Sequence, residues 1–189
     1  TTGTPVVAMN KSGHGFAVWQ QDTDGTGTWN IQAARFNLGT RVWSAPVALH
    51  AGNHPQAAPV VAADGTGNAI AAWSEDIGNS VYNIYAARFA AAQGSWGPAT
   101  LIQTVLGQTA QVPQVAMDVD GNGTAVWQQY TGSGVSLAVY AARFDASSDS
   151  WRSAVQLDPG VGASNPQVAV DASGNAVAVW EQGMNGATV

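Results

Sequence analysis

The chain has no cysteine, a single lysine (Lys11) among six basic residues, and no apolar run long enough to span a membrane. Without cysteine there are no disulfides and no thiolate metal sites. Six basic residues against twelve acidic ones give a formal net charge of −6. That excludes the basic patches on which nucleic acid and anionic membranes depend. Charged residues are only 10% of the total and apolar residues 46%, which excludes a solvated, disordered chain. No Ser-His-Asp order, phosphate-cradling glycine loop or HExxH helix occurs. Gly, Ala, Thr, Asn and Gln are plentiful, a composition expected of an extracellular or cell-surface protein.

What is present is one unit written four times: Pro5–Trp19, Pro59–Trp73, Pro113–Trp127 and Pro166–Trp180. Proline and tryptophan are 14 residues apart in every copy, and the copies begin 54, 54 and 53 residues apart. A period of this size indicates stacked supersecondary units. Each copy opens on a short strand from its proline. A turn follows: Asn10 to Gly13, Asp64 to Gly67, Asp118 to Gly121, Asp171 to Gly174. Asp or Asn bonds its own backbone two residues on and the glycine takes positive φ, the chemistry of a tight hairpin. The second strand, as in Ala176-Val-Ala-Val-Trp180, is apolar on both faces and so must be buried on both.

Polar loops at 22–28, 75–81 and 130–136 lead to a third strand ending Ala-Ala-Arg-Phe: Phe36, Phe89, Phe144. A second tryptophan, eight residues after each arginine, opens a more polar fourth strand: Trp43, Trp96, Trp151. Four short antiparallel strands per repeat, with a longer crossover to the next, are the signature of a β-propeller blade. We expect an all-β fold: one β-propeller segment over 1–189 with blades near 5–58, 59–112, 113–165 and 166–189. This makes three full four-stranded antiparallel blades and half of a fourth, drawn from a longer ring of six to eight blades.

The unit resembles the blades of bacterial β-propeller repeat proteins of the sialidase-like and propeller-lectin kinds, over essentially the whole chain. The Asp-turn-Gly…Trp segment looks like the Asp-box, Ser-x-Asp-x-Gly-x-x-Trp. Here, however, glycine falls three residues after the acid, and Trp180 nine after Asp171. Gly94-Ser-Trp-Gly97 looks like the blade ends of propeller lectins. The lectin resemblance implies sugar binding between blades, on aromatic rings.

Arg35, Arg88 and Arg143 invite comparison with a sialidase arginine triad, but they hold the same place in each blade, so each is read as a structural ion pair or ring stack. Asp118-Val-Asp120-Gly-Asn122 looks like a calcium loop, yet it lacks the further ligands and distal glutamate, so turn capping is expected. His50 and His54 share an interblade loop and His14 a turn; neither arrangement is a metal spacing. No metal and no cofactor is expected.

Sugar rings stack on aromatic faces, which makes Trp43, Trp96, Trp151, Trp29 and Tyr82 the candidate ligand-binding residues. No clustered, non-repeated ionisable residues stand out, and on that ground the leading expectation is a non-enzymatic binding module, lectin-like or adhesive, rather than an enzyme. Its partners would be glycans or a surface protein, with self-assembly as a further option and neither nucleic acid nor membrane insertion. The alternatives are a structural repeat of an extracellular assembly and part of a sialidase-like glycoside hydrolase.

Overall fold

A strand that is apolar on both faces needs a sheet on either side, and the structure supplies them. The computed structural model describes residues 3–50, 54–132, 136–158 and 162–183. The first sheet comprises β1 (Val6–Met9), β2 (Gly15–Gln21), β3 (Asn30–Asn37) and a fourth strand in two pieces, β4 (Val42–Trp43) and β5 (Val47–Ala48). The second comprises β6 (Gln56–Ala63), β7 (Ala69–Asp76), β8 (Tyr82–Ala90), and β9 (Ser95–Trp96) with β10 (Thr100–Leu101). The third repeats it with β11 (Ala110–Met117), β12 (Gly123–Thr131), β13 (Ser136–Asp145), and β14 (Ser150–Trp151) with β15 (Val155–Gln156). A final antiparallel hairpin pairs β16 (Ala163–Val170) with β17 (Ala176–Gln182).

First strands of successive sheets pack on one another: β1 on β6, β6 on β11, β11 on β16. The fourth strands pack mainly on their own third strands. Sheets that converge at the first strand and diverge at the fourth are propeller blades, three of them complete and the fourth represented by its inner hairpin.

The second blade shows why both faces are apolar. Ala69, Ala71 and Trp73 of β7 pack with Phe16, Val18, Ile31 and Leu49 of the first blade. The alternate residues Ile70 and Ala72 pack with Ala125, Trp127, Tyr140 and Phe144 of the third. Period-two alternation thus feeds two cores from one strand. Alanine lets the sheets approach, and Trp73 and Trp127, both fully buried, fill the remaining space.

The constant Pro–Trp spacing has a geometric cause. In β6 the ladder passes from Ala57↔Ser74 to Val60↔Ala72, so Ala58 and Pro59 together face Trp73. The same bulge sets Val112 and Pro113 against Trp127, and Asn165 and Pro166 against Trp180. These strands therefore begin three residues before the proline, earlier than the sequence suggests. The residue without an N–H sits inside the bulge, where no ladder bond is needed. Ala58, Val112 and Asn165 take positive φ to make the bulge.

The turns after the first strands are tied by their aspartates. Asp64, buried, accepts backbone N–H bonds from Thr66 at 2.8 Å, Gly67 at 2.7 Å and Asn68 at 2.9 Å, and a side-chain N–H bond from Asn68 at 2.6 Å. The Asn68 amide oxygen accepts the Ala91 N–H at 3.0 Å, joining this turn to the one between third and fourth strands. Asp118 with Asn122 and Asp171 with Asn175 repeat the carboxylate–amide clip, both at 2.8 Å. Successive turns nest: a Cβ on Gly121 would meet the Asp64 carboxylate at 3.1 Å, and one on Gly174 the Asp118 carboxylate at 3.0 Å.

Asp64→Ala leaves several buried donors unpaired and should lower unfolding free energy by about 3 kcal/mol. Asp64→Asn, which copies Asn10 of the first turn, should lower it by about half as much. Urea unfolding of the two variants measures both.

Candidate active site

Strand direction gives the blades two different ends. The turns just described, and those between third and fourth strands, lie at the lower end. The loops between second and third strands and the crossings between blades lie at the upper end. Most buried polar side chains outside the turns are at the upper end: Gln56, Glu75, Asn83, Gln103, Gln129 and Asp158.

Most of them serve the backbone. The N–H of Ile84 donates to Gln103 Oε1 at 2.8 Å, and that of Val139 to Asp158 Oδ1 at 2.6 Å. Gln103 and Asp158 each lie seven residues after the tryptophan that opens the fourth strand. The residue at that position in the first blade is His50, and it does something else. Its capping role on Ile31 passes to Gln56 of the second blade, whose Oε1 accepts the Ile31 N–H at 2.8 Å. Later copies have alanine in place of Gln56, at Ala110 and Ala163.

Released from capping, His50 reaches across the junction. Its Nδ1 lies 2.7 Å from Glu75 Oε2. Glu75 is itself a departure from the repeat. Two residues after the inner tryptophan, the other copies carry glutamine, and the indole N–H donates to it: Trp19 to Gln21 at 2.9 Å, Trp127 to Gln129 at 3.1 Å, Trp180 to Gln182 at 3.0 Å. In the second blade the Trp73 indole N–H has no partner, and the Glu75 carboxylate holds the imidazole instead.

Glu75 is 4% exposed, while the His50 side chain is 33% exposed. A buried carboxylate accepting Nδ1–H fixes the tautomer and leaves Nε2 for a second partner at the surface. The imidazole stacks on Tyr85, with ring centres 5.4 Å apart, and Tyr85 stacks on Trp73 at 6.3 Å. Burial, and secondarily the Glu75 charge, push the Tyr85 phenol above its ordinary range, so it remains protonated. The corresponding Trp127–Tyr140 stack in the third blade, at 6.4 Å, has no histidine above it.

Of the candidate ligand-binding aromatics, Trp43 and Trp96 share an outer groove of about 520 Å³ between the first two blades, and Trp29 and Tyr82 come together at the upper end. With Gly3, Gln20, Pro55, Gln56 and Ala57 they line an upper-end pocket of about 310 Å³. This pocket adjoins the ionisable pair, since Gln56 lies opposite Glu75 in the ladder and its amide N–H donates to the His50 carbonyl at 3.3 Å. Trp43, Trp96 and Trp151 stand apart, at the lower start of the fourth strands. Trp43 is 47% exposed and rests on Phe36, Trp96 sits edge-on to Phe16 and Phe89, and Trp151 rests on Phe144. The three arginines do not converge. Arg35 lies over Phe89 at 5.3 Å and Arg88 over Phe144 at 5.6 Å, while Arg143 donates to the Gly174 carbonyl at 2.7 Å.

Sequence inspection missed the Glu75–His50 pair because the two residues are 25 positions apart and each looked like a loop residue. The signal lay in reading down the copies: Gln, Glu, Gln, Gln after the inner tryptophan, and His, Gln, Asp after the outer one.

No protein-family model and no curated protein matches the chain. Its fold does match solved structures. A Hadza microbial sialidase is 14% identical over 88% of this chain, with a TM-score of 0.63. The alpha-L-arabinanase of Penicillium chrysogenum, complexed with arabinobiose, is 13% identical over 94%, with a TM-score of 0.57. A polysaccharide lyase acting on ulvan is 9% identical over 86%, with a TM-score of 0.59. The chain spans 39% of the sialidase, 58% of the arabinanase and 45% of the ulvan lyase. The chain shares its propeller fold with these structures.

Two expectations are corrected here. A non-enzymatic, lectin-like or adhesive module was expected, and with it the absence of enzymatic activity; the fold is instead one shared by hydrolases and lyases. The supporting premise, that no blade departs from the repeat with clustered ionisable groups, fails at Glu75 and His50.

If the pair is functional rather than a tie in the scaffold, Glu75→Gln should not weaken the fold. Glutamine would accept the Trp73 indole N–H as its counterparts do, so thermal or urea unfolding should show unchanged stability or a gain of up to about 1 kcal/mol. A loss above about 2 kcal/mol would mark the pair as structural.

Proposed function

We propose that the chain is part of the propeller of a carbohydrate-active enzyme, glycoside hydrolase-like in kind, that engages a glycan at the upper end of the first two blades. The observation that carries this reading is the Glu75–His50 pair, 2.7 Å long, at the one junction where three positions of the repeat change together. The solved structures of similar fold support the choice of glycans as substrates.

Cleaving a glycosidic bond requires a proton delivered to the leaving oxygen or taken from the attacking group. Asp76 follows Glu75 on the same strand and so points to the opposite face, which leaves it outside the pair. The proton-transfer role therefore falls to His50 through Nε2, with Glu75 positioning the ring. Trp29 and Tyr82 are the rings on which sugar would stack. Trp43, Trp96 and Trp151 would bind sugar only at the outer grooves, away from the pair. A polymeric glycan substrate and the lysine-poor composition both suit an extracellular or cell-surface location.

The test is product release from a panel of glycans, compared between the wild type and His50→Gln. The variant should lose activity by about 100-fold or more with unchanged thermal stability. A wild type inactive on every glycan, or a variant as active as the wild type, overturns the proposal.

A further inference from the structure

The charges of the chain are divided between its two ends. All six basic residues, Lys11, Arg35, Arg41, Arg88, Arg143 and Arg152, lie in the lower turns or in the adjoining ends of the strands. The acids divide evenly. Asp64, Asp118, Asp120, Asp145, Asp149 and Asp171 share the lower end with those cations and balance them. Asp22, Asp24, Glu75, Asp76, Asp158 and Glu181 lie at the upper end, where only His50 and His54 can become positive. The formal charge of −6 therefore belongs entirely to the end that carries the candidate site.

The lower cations are also engaged locally. Arg35 and Arg88 lie over phenylalanine rings of the next blade. Arg88 further pairs with Asp149 at 3.3 Å, and Arg152 with Asp145 at 2.9 Å. None is placed to reach around to the upper pocket.

Recognition of a carboxylate or sulfate on a sugar calls for guanidinium or ammonium donors at the binding surface. Four acids, Asp22, Asp24, Asp76 and Glu181, are exposed or half-buried at this end, two more lie buried beneath it, and such a surface without a fixed cation repels a polyanion as it approaches. The upper pocket offers what an uncharged sugar uses: the rings of Trp29 and Tyr82 and the side chain of Gln20. We infer that the substrate engaged by this chain is a neutral glycan, and that sialylated, uronic-acid and sulfated polymers are excluded by charge. The inference rests on the glycan-cleaving reading above and narrows its substrate class.

The experiment uses the whole protein with linear arabinan and galactan as neutral probes, and polygalacturonate, a sialylated oligosaccharide and a sulfated polysaccharide as anionic ones. Product release and binding are measured at low and at physiological salt. The neutral polymers should be preferred by at least tenfold, with affinities that do not change with salt, and the gap to the anionic polymers should narrow as salt rises. A second arm places a cation on the exposed upper loop with Ile77→Lys, which should raise binding of the anionic polymers several-fold and leave the neutral ones unchanged. Preference for an anionic polymer, or indifference of anionic binding to both salt and Ile77→Lys, overturns the inference while leaving a glycan-cleaving enzyme intact. Failure to act on or bind any glycan sinks the catalytic reading, and the inference with it.

Discussion

The structure depends on sheets that must be dry on both faces. β7 shows the consequence, since its side chains are buried from Ala69 to Glu75 and alternate between two different cores. Stacked sheets pack about 10 Å apart, a spacing that favours alanine over most of the strand and an aromatic plug where the bulge opens room. The bulge itself follows from the same need. A proline opposite the tryptophan forgoes a ladder bond and turns the first strand, so the conserved distance between them within the chain is one of register. Under this constraint the strand interiors cannot carry chemistry. Polar groups are left only the two ends and the outer edges.

At the upper ends the default use of such a group is to cap a backbone donor that the broken fourth strand leaves open. Gln103 and Asp158 do this from within their own blades. At the first junction Gln56 does it from the neighbouring blade. The three changes at this junction are physically coupled. His50 can face Glu75 only because Gln56 has taken over Ile31, and Glu75 can hold an imidazole only by giving up the indole hydrogen bond made in the other blades. An unpaired indole N–H at Trp73 is a cost to stability that the scaffold avoids elsewhere. A local departure that sacrifices a repeated hydrogen bond to set a carboxylate against a histidine is what a functional position looks like in a repeat protein.

The architecture was legible in the chain because it is written redundantly. Four copies of a Pro-to-Trp unit, with strands apolar on both faces and Asp-to-Gly turns, leave few alternatives to a propeller, and the turn aspartates do cap their own loops as expected. The site was less legible for the opposite reason, since it is written once. Glu75 reads as the start of a polar loop and His50 as part of an interblade connection; only the fold brings them within hydrogen-bonding distance. The candidate aromatics divided along the same line. Trp29 and Tyr82 sit where the copies differ, and they line the upper pocket. Trp43, Trp96 and Trp151 recur in each of the three complete blades, and each rests on a phenylalanine.

The two ends thus have separate work. The lower end joins blade to blade by nested Asp–Asn turns and by guanidinium groups laid over the next blade's phenylalanine. Those arginines are placed by the repeat, one per blade, and a residue that must serve the same neighbour in each copy cannot also converge with its counterparts on a single substrate carboxylate. Arg35, Arg88 and Arg143 accordingly do not meet at one point. The upper end joins blades by contacts that differ from copy to copy, Gln56 on Ile31 at the first junction and Asn165 on Gln128 at the third. It is free to vary from copy to copy, and there the chain sets its unbalanced negative charge, its adjoining aromatic pocket and, among the described residues, its one carboxylate–imidazole pair.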